Sequence, residues 1–100
     1  MRRAKVSRKF PVTGSTDQVI LFSWGADPQP LKRNVARVDC HGNVVWRAEL
    51  PGNARNDCFN SLAQDGDGFV ARTYSEWAVY LDADGAARRV VREPLLVRTG

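Results

Sequence analysis

Two stretches 43 residues apart carry the same strand, turn, strand signature, and this duplication constrains the fold more than any other feature of the chain. In Val35 to Trp46, VARVDCHGNVVW, Ala36 and Val38 alternate with Val35, Arg37 and Asp39. After Asp-Cys-His-Gly the apolar pattern resumes at Val44, Val45 and Trp46. Ala78 to Val90, AVYLDADGAARRV, repeats the arrangement with Asp82 and Gly85 in the places of Asp39 and Gly42. The last residue of such a turn needs positive φ, which glycine reaches without steric cost, so each glycine marks where a hairpin reverses. No window shows sustained 3.6-residue periodicity, which excludes a helical solenoid.

The rest of the chain supplies matching strands. Val6, Arg8 and Phe10 alternate as a charged edge strand would, and charge on an edge discourages sheet-to-sheet aggregation. Val19 to Trp24, VILFSW, is the most apolar run and is too short for a helix, so it is placed centrally with both faces covered. Cys58 to Gln64, Phe69 to Tyr74, Trp77 to Asp82 and Arg88 to Val91 complete the set, with Trp77, Val79 and Leu81 on one face. Gly25 to Arg33 and Glu49 to Asp57 contain proline and glycine and read as loops. Eight strands therefore fall into two sets of four, Phe69 to Tyr74 overlying Val19 to Trp24 at an offset of 50 and the hairpins at 43. A four-stranded unit recurring every ~40 to 50 residues has the period of a β-propeller blade.

Val38 to Trp46, VDCHGNVVW, resembles the blade repeat of quinoprotein (PQQ-like) β-propellers. There a strand ending in Asp, a Gly-containing turn and a Trp on the next strand recur, and the Trp docks between neighbouring blades. The pattern carries over to Asp39, Gly42 and Trp46, and to Asp82 and Gly85; it departs four residues after Gly85, where Arg89 stands. The chain also resembles small bacterial proteins with a pair of such repeats, whose fifth strand starts Asp-Cys or Asp-Ser, here Asp57-Cys58. The resemblance covers about residues 17 to 92. It implies an all-β antiparallel fold of two four-stranded propeller-blade-like units, packed as a small sandwich or flattened barrel, or covered by blades of another chain. Quinone-binding propellers gather cofactor ligands from many blades, and this chain has sequence for about two, so no cofactor is expected.

At 100 residues the chain reads as one domain: a basic arm or edge strand at 1–10, a first repeat at 11–48 that takes in part of that arm, a second at 58–92 and a tail at 93–100. Net charge is +4, but Arg2, Arg3, Lys5, Arg8 and Lys9 put +5 into the first ten residues and leave −1 for the rest. The location of that charge makes anion or nucleic-acid binding, through the arm and Arg88, Arg89 and Arg92, the alternative reading. No apolar run reaches the ~20 residues needed to span a bilayer, and the basic N-terminus is not followed by the apolar stretch of a secretory signal. Hence no membrane partner and a cytoplasmic location are expected, with Cys40 and Cys58 reduced and partly buried.

Catalytic and metal chemistry lack their usual constellations. Asp39, Cys40 and His41 with Asp57 and Cys58 invite a metal, but zinc wants four convergent ligands, and adjacent strand residues point to opposite faces. A Cys-His nucleophile meets the same obstacle. Asp65-Gly-Asp-Gly68 and Asp82-Ala-Asp-Gly85 share the core of calcium loops without the closing Glu, and as turns they use Asp and Gly for local reasons. Trp24, Trp46, Trp77, Tyr74, Tyr80 and Phe69 read as core anchors, with Trp24 and the Tyr74–Trp77 pair best placed for an exposed stack. The expectation is a non-enzymatic interaction module that meets a protein partner through its two long loops, at Trp24, Asp27, Gln29, Lys32, Arg33, Asn53 and Arg55. Leftover sheet edges make a homodimer a further expectation.

Overall fold

The computed structural model describes residues 5–23, 33–52 and 57–92. Among these there are eight strands and no helix: β1 (Lys5–Pro11), β2 (Gln18–Ser23), β3 (Val35–Val38), β4 (Val44–Arg47), β5 (Phe59–Asp65), β6 (Gly68–Thr73), β7 (Trp77–Leu81) and β8 (Ala87–Arg92). Each half of the chain forms an antiparallel meander, β1-β2-β3-β4 and β5-β6-β7-β8. The apolar run Val19, Ile20 and Leu21 is buried in β2, one of the two inner strands of its sheet. The expected flattened barrel is not formed: both sheets stay open, because each meander pairs only sequential neighbours.

Irregularities recur with the strands. The β1–β2 ladder shifts between Val6 and Arg8, and the β5–β6 ladder shifts between Phe59 and Ser61, 53 residues later. The β3–β4 ladder shifts between Arg37 and Val38, and β7–β8 between Tyr80 and Leu81, 43 residues later. A bulge bends its strand and sharpens the twist, so matched bulges give the two sheets a common shape. The register also corrects the alignment of the central strands. Gln18 stands opposite Val38 and Phe69 opposite Leu81, so position 18 corresponds to 69, an offset of 51 rather than 50. Side chains alternate along a strand, so this single step exchanges the faces.

That exchange decides how the sheets meet. In the first sheet Phe10, Val19, Leu21, Val35, Arg37 and Trp46 share a side, here termed its leading face. In the second sheet the buried side chains Phe59, Leu62, Phe69, Ala71, Val79 and Leu81 lie on the other, trailing, side. Together these two faces make one hydrophobic core, with β5 lying across β1 and β2. The corresponding positions on the second sheet's leading face are Ala63, Val70, Arg72, Ala78, Tyr80 and Arg89. The sheets therefore stack in the same sense, unlike face on unlike face, and the first trailing face and the second leading face point outward.

Candidate interaction surface

The two hairpin turns are built identically. Asp39 N–H donates to Asn43 O at 2.9 Å and Gly42 N–H to Asp39 O at 3.0 Å; Asp82 and Ala86, Gly85 and Asp82 repeat these bonds at 3.0 Å each. The Asp39 Oδ1 accepts from His41 N–H and Asn43 N–H, both at 2.9 Å, and the Asp82 Oδ1 accepts from Asp84 N–H and Ala86 N–H. Gly42 sits at φ +88° and Gly85 at +86°, as the sequence reading requires. The backbone N–H of Asn43 holds the Asp39 carboxyl below its ordinary value, helped by the Asn43 side chain, the His41 N–H and the charge of His41.

What lies over the turns differs. A Cβ at Gly85 would come within 2.7 Å of the Trp46 ring, whereas the space over Gly42 is empty to 4 Å. Trp46 Nε1 donates to Ala83 O at 3.0 Å, and Arg37 Nη1 donates to the same oxygen at 2.8 Å. Arg37 also pairs through Nε with Asp17 Oδ2 at 2.8 Å, which neutralises a mostly buried guanidinium. At the other end of the joint Asn34, 1% exposed, donates from Nδ2 to Phe22 O and Phe59 O, both at 2.8 Å, and accepts the Phe59 N–H at 2.9 Å. Three side chains of the first sheet thus hold the second by its backbone. Sequence reasoning placed Trp46 in this role through the resemblance and missed Asn34, Arg37 and Asp17. The available signal was Arg37 itself, which alternation puts on the same side as Val35 and which therefore needs an acidic partner.

Of the expected contact residues, Trp24, Asp27, Gln29, Lys32, Asn53 and Arg55 lie outside the described residues. Arg33 is described and engaged: its guanidinium pairs with Glu49 at 2.7 Å, and Arg47 donates to its carbonyl at 3.3 Å. The three C-terminal arginines do not gather into one patch. Arg89 lies over the Tyr80 ring at 5.3 Å on one face; Arg92 lies over Trp77 at 5.0 Å on the other and donates to Ser75 O at 3.1 Å. Arg88, at the bulge, is 3.9 Å from Asp82. Cys58 is buried as expected, but Cys40 is exposed, because it occupies the turn rather than a strand. Among the described residues no three His, Cys, Asp or Glu side chains converge on a possible metal position. Asp65, Asp67, Asp82, Asp84, Tyr80 and Arg88 border an open cavity of about 440 Å³ at the turn end of the second sheet. Tyr74 is 64% exposed, while Trp46 and Trp77 are half-buried.

The outward faces carry mixed apolar and basic side chains, and among the described residues the other exposed large apolar side chains, Val45, Tyr74 and Val90, lie elsewhere. On the first trailing face Val6, 52% exposed, stands beside half-buried Phe22 at one end and Val44, 46% exposed, beside half-buried Val38 at the other, with the buried Ile20 and Ala36 between. On the second leading face Val70, Tyr80 and Val91 are half-buried around Ala78. Among the described residues no helix is long and apolar enough to cross a membrane. No family model, curated protein or solved structure matches the chain.

Proposed function

We propose that this chain is a non-enzymatic β-repeat module that works by protein–protein contact through its outward sheet faces. The observation that carries the reading is the same-sense stacking of two equivalent sheets. It uses one apolar face of each and leaves the first trailing face, with Val6, Val44, Phe22 and Val38, outside the core. Two apolar pairs stand on that face, Val6 with Phe22 and Val44 with Val38, and paired rather than single exposed apolar side chains are what mark an interaction surface. Matched bulges, matched turns and the seating of Trp46 on the Gly85 turn support reading each sheet as a propeller-like blade. In that reading an outward blade face is a surface that a neighbour covers.

Site-specific photocrosslinking tests it. A photoreactive side chain replacing Val6 or Val44 in cells is expected to give discrete covalent adducts with protein, whereas one replacing Glu76, exposed at a strand joint, is not. Absence of adducts at both valines, or equal labelling at Glu76, would overturn the reading.

A further inference from the structure

We infer that the partner for these faces is a second copy of the same chain, added head to tail, so that the leading face of one copy's second sheet seats on the trailing face of the next copy's first sheet. The inference rests on the protein-contact reading and names its partner. Its basis is continuity with a joint the molecule already contains. Within the chain a leading face sits on a trailing face, and the two outward faces, exposed or half-buried apart from the covered Ile20, Ala36 and Ala78 at their centres, are one of each kind. A contact between unlike faces is heterologous: it does not satisfy itself in one step, but repeats until the chain of copies closes or extends.

Register states which residues would meet. The internal joint sets Val19, Leu21, Val35 and Trp46 against Phe69, Ala71, Val79 and Leu81. The equivalent joint between copies sets Val70, Arg72, Ala78 and Arg89 against Gln18, Ile20, Ala36 and Val38. Its centre is apolar, and Arg72, Arg89, Gln18 and Lys9 stand around it, the composition of a reversible interface rather than of a domain core. Val6 corresponds to the fully buried Phe59, which accounts for an exposed valine on a charged edge strand. The bare space over Gly42 corresponds to the place over Gly85 that Trp46 fills, so the incoming side chain there is Arg89. Blade rings of 4 to 8 sheets correspond to about two to four copies. Because Lys9, Gln18 and Arg89 stand in the places of Leu62, Phe69 and Trp46, the joint between copies is weaker than the internal one and dissociates on dilution.

Light scattering on the purified chain, with two variants, decides the matter. The chain is expected to rise from monomer mass to that of two to four copies between about 1 µM and 1 mM. Val6→Asp blocks a trailing face and Val70→Asp a leading face; each alone is expected to be monomeric with an unchanged circular dichroism spectrum. Mixed in equal amounts they retain one good face of each kind and are expected to form a heterodimer that grows no further. Arg89→Trp, restoring the side chain found at Trp46, is expected to tighten assembly about tenfold. A wild-type chain that stays monomeric to about 1 mM overturns the inference, as does assembly lost in Val6→Asp but kept in Val70→Asp, or a mixture that stays monomeric. Should the chain be monomeric while Val6 still crosslinks a different protein, the interaction reading stands and the self-assembly inference alone falls.

Discussion

The Asp39 and Asp82 turns have the same backbone bonds and glycine conformations, yet one is covered by an indole and the other is bare. Local sequence explains the likeness: Asp accepts the backbone N–H groups two and four residues on, and glycine takes the left-handed position. The difference arises elsewhere, because the cover belongs to the neighbouring sheet. Position 46 is Trp where position 89 is Arg, so only one sheet presents an aromatic lid. Turn geometry in this chain is a local property, whereas a turn's role in the assembly depends on what stands opposite it.

Equivalent positions in the two sheets therefore should respond unequally to the same substitution. The widest gap is expected between Phe69 and Gln18, which share a register position. Phe69→Ala empties the core and should cost about 3 to 5 kcal/mol, while Gln18→Ala should stay within about 0.5 kcal/mol. Urea midpoints of the two variants that fall together would break the assignment of faces. Next comes Asn34, whose counterpart is Trp77. Asn34→Ala strands the buried Phe59 N–H and C=O and should cost about 2 to 4 kcal/mol, against about 1 kcal/mol for Trp77→Leu. Equal losses would mean the amide is not a clamp.

The turns themselves give a smaller contrast. Gly85→Ala adds displacement of Trp46 to left-handed strain and should cost about 2 to 3 kcal/mol with altered tryptophan fluorescence. Gly42→Ala should cost about 1 kcal/mol and leave the emission unchanged; an emission shift in this variant would place an indole over the wrong turn. The least effect concerns acid. Because the folded Asp39 carboxyl is held below its ordinary value, its contribution is complete above about pH 4 and is lost as pH falls through the depressed value. Hydrogen exchange at Asn43 should accelerate over that acidic interval relative to Asn43 in an Asp39→Asn chain, and a pH-independent difference would refute the linkage.

Strand positions, turn positions and the repeated hairpin were legible because each rests on local chemistry; strand order within the sheets was not, since it depends on pairing between strands. Asp39, Gly42, Asp82 and Gly85 announce their turns within four residues. The central alignment was not, since VILFSW and FVARTY are both apolar enough to fit at 50 or 51, and only the ladder distinguishes them. Bulges left no mark either: Ser7 corresponds to Asn60 and Val45 to Arg88, pairs with nothing in common chemically. Of the joint residues, Trp46 was visible through its motif. Asn34 was hidden because an asparagine beside a proline-containing loop reads as a turn residue, and its buried partners lie 25 positions away.

The Asn34 side chain carries the same C=O and N–H as a peptide group, and it meets Phe59 as a neighbouring strand would. Since β5 is the outermost strand of its sheet, that amide occupies the stretch where a foreign strand would begin to zip on. Losing Asn34 would accordingly do more than loosen the fold: it would uncork a template for cross-β growth, making this position a guard against aggregation as well as a fastening between halves.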